Sequence, residues 1–378
     1  MLPPLLTRVN PNDVIVYFPN REDHPLLFET IGCPQDPVYH AEGDVYTHTC
    51  MVVNELATSA EVQRLSPTDR GILQAAALFH DVGKPKTTVV RDDGRITSIG
   101  HSRVGSILTR HEHWKTATPI EKRELICNLV KYHQVPFFMI DEVDPIRTLI
   151  KLSYLVDLDL LYLLALGDIY GRTCSSDLKV KVLTNIALFK EMVDENKHNL
   201  DPVHGGWKFK NARSRIEYFR SASRNPFYEA YDSKFRCVVS VMSGFPGAGK
   251  STFVANNYSD PVVCLDTIRK NLKISPEDNQ GAVISEAYEQ ARKYLRKDKG
   301  FVWDATNISR DVRDRVTSLL LNYDAYVNIV ALEVKYLELH RRNSSRANPV
   351  PESVYNKLFQ KWEYPTQLEA HNVEPIST

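Results

Sequence analysis

The chain has 378 residues, 43% hydrophobic and 25% charged, and its 47 basic and 47 acidic side chains cancel at neutral pH. This composition is typical of a soluble globular protein long enough for two domains. Zero net charge excludes a general electrostatic attraction for nucleic acid, so any such partner requires local basic patches. The six cysteines are scattered without a C-x-x-C pair, which argues against a zinc ribbon and a disulfide framework.

The chain shows no sign of export or membrane insertion. Met1–Arg8 lacks the charged start and apolar run of a signal peptide. The most apolar stretch, Leu155–Ile169, is interrupted by three aspartates and is therefore not expected to span a membrane. We predict a cytoplasmic protein without a membrane partner, and the sequence gives no indication of its oligomeric state.

Residues 40–195 are predicted to be mostly helical, within a first domain over 1–195. Four segments carry helix signals. The first has helix-forming composition after a Ser-Pro-Thr start, and the other three have apolar residues at three- and four-residue spacing. These segments are Thr68–Phe79, Ser102–His113, Ile120–Tyr132 and Leu158–Tyr170. Residues 87–99 instead predict a β-hairpin with an Asp-Gly turn, which would carry the following histidine towards the rest of the domain.

Histidines and aspartates recur through this helical half in an ordered set. The set comprises His48, His80, Asp81, His101, His133 and Asp168. The doublet His80-Asp81 follows an apolar helical run and precedes a glycine, which is a poor choice for a solvent-facing surface. Imidazole together with carboxylate suits divalent transition metals such as Mn²⁺, Fe²⁺, Ni²⁺ or Zn²⁺. The set therefore predicts a metal site.

This order resembles the HD phosphohydrolase superfamily, whose pattern H…HD…H…H…D matches over roughly residues 40–175. The stretch Ala-Leu-Phe-His-Asp-Val-Gly-Lys is also similar to the HD module of bacterial tRNA nucleotidyltransferases. The resemblance implies one metal held by His48, His80, Asp81 and Asp168. It implies a second metal held by His101 and His133, with Asp81 bridging. Families with this pattern bind one metal or two. Lys84 is predicted to contact phosphate or to offset the charge of the transition state.

Residues 196–235 are predicted to be a basic, aromatic linker. Between residues 205 and 224, six basic side chains stand against one acid, with four aromatic residues interleaved. Such a segment can follow a phosphate backbone and stack on unpaired bases. Alternatively, it is a basic helix that packs its aromatic rings on one of the domains.

The third segment, residues 236–378, predicts an α/β domain with a parallel sheet. Strands are predicted at Cys237–Met242, Pro261–Leu265, Phe301–Trp303 and Val327–Val334, with helices over Ala282–Lys297 and Asp311–Leu320. Between the first strand and a helix lies G-x-x-x-x-G-K-S, which cradles the phosphates of a nucleoside triphosphate on backbone N–H groups. The residues predicted to bind ATP or another NTP or dNTP are Gly244, Gly247, Ala248, Gly249, Lys250, Ser251 and Thr252. Ser251 would also ligate Mg²⁺.

Further polar residues predict a phosphoryl-transfer site. Asp266 follows a predicted strand, where it can act as general base towards an attacking hydroxyl, and Arg269 lies on the same helical face. An arginine-rich segment carries Arg342 and Arg346, which are predicted to close over the triphosphate as a lid. Two more polar side chains, Asp304 and Asn307, follow the third predicted strand.

These features resemble the 5′-hydroxyl polynucleotide kinase family over about residues 236–365. The resemblance implies Asp266 as base for a nucleic-acid 5′-OH and Arg269 on the acceptor phosphate. It implies lid roles for Arg342 and Arg346, and an acceptor-side role for Asp304 and Asn307.

The whole chain resembles bacterial HD-domain phosphatase–polynucleotide kinase proteins. That likeness predicts an enzyme that removes 2′,3′-cyclic or 2′-phosphate ends and phosphorylates 5′-OH ends of RNA or DNA, with a ligase as a candidate partner. Two alternatives stay open. One is a kinase and phosphohydrolase of mononucleotides, and the other is a non-catalytic, ATP-gated HD sensor.

Overall fold

The computed structural model describes residues 25–202, 205–230, 234–275, 278–346 and 349–377. The predicted absence of a signal peptide in Met1–Arg8 falls outside these ranges. The described residues up to Lys208 form one compact unit, and those from Phe209 form a second. No helix in the described ranges is long and apolar enough to cross a membrane.

The first unit is helical, as predicted. Its α-helices are α1 (Pro25–Phe28), α2 (Val45–Thr58), α3 (Ala60–Gln63), α4 (Pro67–Phe79), α5 (His101–Lys115), α6 (Ile120–Tyr132), α7 (Val135–Phe138), α8 (Pro145–Ser153), α9 (Leu158–Tyr170) and α10 (Ser176–Asn196). Short 3₁₀ turns cover Lys84–Lys86, Met139–Asp141 and Lys197–Asn199. The predicted hairpin is confirmed by two short antiparallel strands, β1 (Val89–Val90) and β2 (Ile96–Thr97).

Side-chain caps fix where several of these helices begin. The Ser66 hydroxyl accepts a hydrogen bond from the Asp69 N–H, and Pro67 occupies the first turn of α4. The Asp157 carboxylate accepts from the Leu160 N–H at 2.9 Å and starts α9. Helix α9 packs against α2, α4 and α10. Gly167 permits the contact with α2, because a Cβ there would lie 2.6 Å from the Cγ of Leu56.

The second unit contains a five-stranded parallel sheet, which confirms the predicted α/β fold. The strands are β3 (Cys237–Ser243), β4 (Val262–Cys264), β5 (Phe301–Asp304), β6 (Ala325–Glu333) and β7 (Asn372–Ser377), in the order β4-β5-β3-β6-β7. The helices are α11 (Ala212–Arg220), α12 (Lys250–Asn257), α13 (Leu265–Leu272), α14 (Gly281–Leu295), α15 (Arg310–Asn322), α16 (Tyr336–Ser344) and α17 (Glu352–Phe359). Strand β7 has no counterpart among the predicted strands.

Strand β3 lies at the centre of this sheet and is buried along most of its length. Its neighbours are β5 on one side and β6 on the other, with Val239 opposite both Phe301 and Val327. Because all strands are parallel, the carboxyl ends of β3, β4 and β5 meet at one edge. That edge is where ligands bind in open α/β sheets, and it carries the phosphate loop.

The basic, aromatic segment contributes α11 to the second unit. Arg215 donates to the carbonyl oxygens of Ala370 and His371 at 3.1 and 2.8 Å. Arg220 donates to Asn322 at 2.6 Å, and Arg213 pairs with Asp324. These contacts favour the packed-helix alternative over a free nucleic-acid surface for this helix. The domain bounds 1–195, 196–235 and 236–378 stay a prediction.

Candidate active sites

The first unit gathers all six polar residues of the histidine–aspartate set around the Asp81 carboxylate. Asp81 Oδ1 lies 3.3 Å from His101 Nε2 and 3.8 Å from His133 Nε2. Its Oδ2 lies 3.3 Å from His80 Nε2 and 3.9 Å from His48 Nε2. His48 Nε2 also lies 3.1 Å from Asp168 Oδ1. One carboxylate thus faces four imidazoles.

The ligand atoms fall into two compact groups. One group contains His48, His80 and Asp168, and the other contains Asp81, His101 and His133, with the atoms of each within 4.8 Å of one another. All six residues are buried. Burying polar groups costs free energy unless they are paired or bind a ligand. The burial of all six polar side chains therefore indicates a binding site.

The histidine rings of the cluster are oriented by backbone carbonyls. The Nδ1 atoms of His80, His101 and His133 contact the carbonyl oxygens of Ala77, Ser98 and Val130 at 2.7, 2.8 and 2.8 Å. Because a carbonyl only accepts, each Nδ1 carries the hydrogen and each Nε2 presents a lone pair.

The atoms that face the centre of the cluster lack hydrogen bonds. Within the described residues, no hydrogen-bond partner reaches the buried Nε2 of His80, His101 or His133, nor Asp81 Oδ1. A divalent cation fits this set of inward-facing lone pairs and a carboxylate oxygen. The structure therefore supplies donors for a metal at the predicted positions.

Two buried cations keep the carboxylates ionised. Lys84 Nζ lies 2.7 Å from Asp81 Oδ2 and donates to Gln35 Oε1 at 2.6 Å. Arg172 donates to both oxygens of Asp168, at 2.9 and 3.0 Å. Burial alone would raise the pKa of Asp81, but the adjacent Lys84 ammonium holds that pKa well below its usual range. Arg172 and His48 do the same against burial for the pKa of Asp168.

Burial has the opposite effect on two of the imidazoles. It lowers the pKa of His133 to about 3 and also lowers the pKa of His101, with the Asp81 charge opposing the shift. Both rings are therefore neutral near pH 7. A neutral imidazole is the form that ligates a metal.

Sequence reasoning missed four residues of this pocket. They are Gln35, His40, Glu42 and Arg172. Arg172 lies four residues after Asp168, a spacing at which opposite charges pair near a helix end, so a charge-pattern search would have found it. The others come from a loop, where no periodicity marks them.

In the second unit, the phosphate loop has the backbone that its motif requires. Gly247 and Gly249 have φ angles of 87° and 98°, which favour glycine. A Cβ on Gly244 would lie 2.4 Å from the carbonyl oxygen of Leu332. Lys250 Nζ folds across the loop and donates to the carbonyls of Gly244 and Phe245, at 2.9 and 3.1 Å. Burial lowers the pKa of Lys250, and the Asp304 and Asp266 charges oppose that shift.

The loop is held from behind by α17. Tyr355, which is 1% exposed, donates its hydroxyl to the carbonyl of Pro246 at 2.6 Å. Phe245 packs against Phe359 and Trp362, with ring centroids 5.0 Å apart in both pairs. Sequence reasoning missed these three supports, because α17 and the Trp362 that follows it lie about a hundred residues after the loop.

The side chains at the ends of β4 and β5 differ in role. Asp304 accepts a hydrogen bond from the Ser251 hydroxyl at 3.0 Å, next to the expected Mg²⁺ position. Asp266 lies in the first turn of α13 with its side chain 77% exposed, and it pairs with Arg269. The Arg269 Nε also donates to Gln280 at 2.7 Å. The Asp266 carboxylate is thus open to solvent.

Of the other predicted residues, Arg342 and Arg346 lie near the phosphate loop, whereas Asn307 makes contacts in the interior. Arg342 donates to Glu338 at 2.7 Å and to the carbonyl of Ala248 at 3.3 Å, so it already lies on the phosphate loop. The Arg346 charge lowers the pKa of Lys250, which places it within electrostatic reach of that amine. Asn307 is buried, and its amide donates to the carbonyl of Met242 at 2.8 Å. The observed contacts of Asn307 are thus structural.

Comparison with known families assigns both units. Residues 45–163 match the HD domain, and residues 239–365 match an AAA domain. An A-adding tRNA nucleotidyltransferase of Deinococcus radiodurans is 34% identical over 112 residues, which are 29% of this chain and 24% of the relative. The chain thus spans about a quarter of the length of that curated relative.

Solved structures of kinases resemble part of the chain at low overall similarity. A sugar kinase from Janibacter sp. covers 37% of this chain and 85% of its own, with 17% identity and a TM-score of 0.30. A gluconokinase from Sinorhizobium meliloti covers 38% and 83%, with 16% identity and a TM-score of 0.28. The family matches are what confirm the predicted order: the chain carries an HD domain followed by an AAA domain with a phosphate loop.

Proposed function

We propose that this protein is a bifunctional enzyme that heals nucleic-acid ends. The HD domain would hydrolyse 2′,3′-cyclic phosphate or 2′-phosphate ends. The P-loop domain would transfer the γ-phosphate of ATP, or of another NTP or dNTP, to a 5′-OH end. Many nucleases leave these two ends, whereas ligases require a 3′-OH and a 5′-phosphate. The joint product is therefore a substrate for a ligase.

In the HD domain, the six clustered residues would hold one or two divalent metals such as Mn²⁺, Ni²⁺, Fe²⁺ or Zn²⁺. A metal there supplies Lewis-acid activation of a phosphate ester. The neutral imidazoles of His101 and His133 are ready to ligate it. The Lys84 ammonium lies beside Asp81 and is available to a phosphate oxygen once that carboxylate turns to a cation. Arg172 holds Asp168 ionised and oriented.

In the P-loop domain, the observation that carries the proposal is a solvent-facing Asp266 paired with Arg269 at the sheet edge that holds Lys250. Asp266 would take the proton of the 5′-OH, whose oxygen attacks the γ-phosphorus as the bond to the β-phosphate oxygen breaks. Lys250 and Arg342 would offset the charge on the phosphates, and Ser251 would ligate Mg²⁺ with Asp304 behind it. Arg269 would bind the adjacent phosphate of the acceptor.

A nucleic-acid substrate is supported by two considerations. The curated relative is named for an enzyme that acts on tRNA. The Asp266–Arg269 pair also suits an acceptor that offers a hydroxyl and a neighbouring phosphate, as a polynucleotide end does and a free nucleoside does not.

The test measures label transfer from γ-labelled ATP to a 5′-OH oligonucleotide and to a free nucleoside. We expect transfer to the oligonucleotide, a loss of at least 100-fold in Asp266→Asn, and little transfer to the nucleoside. Asp311→Asn, on the exposed face of α15, is the matched control and should retain activity. Equal transfer to the nucleoside would favour mononucleotide metabolism. ATP binding without any transfer would favour the sensor.

A further inference from the structure

One buried carboxylate beside the HD cluster has no place in the six-residue pattern. Glu42 precedes α2, and its side chain is 2% exposed. Its Oε1 lies 2.8 Å from His48 Nδ1 and 2.9 Å from His40 Nδ1. Its Oε2 accepts a hydrogen bond from the Thr173 backbone N–H at 2.9 Å. Three donors thus converge on one carboxylate.

The contact with Glu42 determines which nitrogen of His48 carries a hydrogen. An ionised carboxylate only accepts, so His48 Nδ1 must be protonated to make a 2.8 Å contact. When His48 ligates a metal through Nε2, the atom that lies 3.1 Å from Asp168 and 3.9 Å from Asp81, the hydrogen that stays on its ring is the one that Glu42 accepts from Nδ1. Glu42 therefore turns the ligating nitrogen towards the cluster.

The His40 ring supports the same geometry from the far side. It packs edge-on against His48, with ring centroids 4.6 Å apart, while its Nδ1 contacts the same carboxylate oxygen. Together with the Thr173 N–H, the two imidazoles place three donors on the Glu42 carboxylate. Glu42 is thus an acceptor that its three donors hold in place.

We infer that Glu42 is a positioning residue of the HD metal site, which sets the tautomer and orientation of His48 from behind. This inference depends on the proposed function in one respect, which is that His48 ligates a metal. A carboxylate behind a ligating histidine fixes its ring and raises its basicity, and removing it typically costs 10–100-fold in metal affinity. The carbonyl of Gly171, 3.3 Å from His48 Nδ1, is a longer and uncharged second acceptor.

The experiment measures Mn²⁺ binding to the full chain by calorimetry. We expect Glu42→Gln to weaken the affinity at least 10-fold, because the amide keeps the size but loses the charge. Glu55→Gln, on the exposed side of α2, is the matched control and should bind like the wild type. Equal affinities in Glu42→Gln and wild type would overturn the inference. So would a third ion in the wild type that Glu42→Gln loses, since Glu42 would then be a ligand.

A second measurement uses only the wild-type protein, so it does not depend on whether a variant folds. In Zn²⁺-loaded wild type with ¹⁵N-labelled histidine, His48 should show a protonated Nδ1 and a metal-bound Nε2. The reverse assignment would refute the positioning role. A wild type that binds no divalent metal at all would instead refute the proposed phosphatase, so the two failures are distinguishable.

Discussion

At the scale of single residues, the HD site depends on how the two oxygens of Asp81 are divided. Oδ1 faces His101 and His133, and Oδ2 faces His80 and Lys84. A carboxylate shared in this way can join two ligand groups, which is the bridging role that the superfamily resemblance implies. The adjacent His80 adds a candidate ligand from the same turn of backbone.

A second residue, His371, links pH to the stability of the P-loop domain. Its Nδ1 accepts a hydrogen bond from the Val327 backbone N–H at 3.0 Å, so the ring is neutral in the folded state. Burial, together with the Arg215 and Arg213 charges, lowers its pKa from 6.5 to about 4. Between these values the unfolded chain binds a proton that the folded chain does not. Stability from this group is therefore complete above about pH 6.5 and falls as pH decreases towards 4.

We expect this loss to reach about 3 kcal/mol at pH 4, from the difference between the two pKa values. Chemical denaturation of the wild type and of His371→Asn at several pH values measures it. Asparagine keeps an acceptor near the Nδ1 position and does not titrate, so the variant should lose this part of the pH dependence. Identical pH dependence in the two proteins would contradict the assignment.

At the scale of elements, three of the candidate HD ligands are placed at helix ends. His80 and His133 directly follow α4 and α6, and His101 begins α5 after the hairpin. Their Nδ1–H groups bond to carbonyls three residues earlier, where a helix or turn leaves carbonyls free. Helix packing then brings these ends to one point.

The contact between Gly83 and α5 tests this dependence on packing. A Cβ on Gly83 would lie 2.0 Å from the His101 carbonyl oxygen and 2.6 Å from the Gly105 nitrogen. We expect Gly83→Ala to push the start of α5 away, destabilise the HD domain by about 1–3 kcal/mol, and lower metal affinity at least 10-fold. Calorimetry with Mn²⁺ and thermal unfolding measure both effects.

Gly94→Ala is the control for this substitution. A Cβ on Gly94 meets nothing within 4 Å, and its φ of 81° confines the strain to the hairpin turn. It should bind metal like the wild type. Wild-type metal affinity in Gly83→Ala would show that the position of α5 does not govern the site.

At the scale of the whole molecule, each candidate site is built from residues of one compact unit. We therefore expect His80→Ala and Asp81→Ala to abolish end-phosphate removal and leave kinase activity within a few-fold. Lys250→Ala should lose only phosphorylation. Assays of both ends on oligonucleotides measure this, and loss of both activities in any one variant would contradict two independent sites.

The sequence by itself determined the order of the two domains, their fold classes and the phosphate loop. The phosphate loop can be predicted from sequence because its strand, glycines and helix are contiguous, and its conformation depends on local backbone geometry. The histidine–aspartate pattern was readable because the His80-Asp81 doublet follows an apolar helical run and the whole set has the order H…HD…H…H…D.

Only the tertiary structure decided which atoms meet. His48 and Asp168 are 120 residues apart, and Glu42 and Thr173 are 131 apart. Tyr355 reaches Pro246 across 109 residues, and β7 joins the sheet through pairing with β6. Such partners carry no local periodicity, because their contacts arise from helix and strand packing. Such contacts form because nearly every polar group that is buried by this packing needs a hydrogen-bond partner or a ligand.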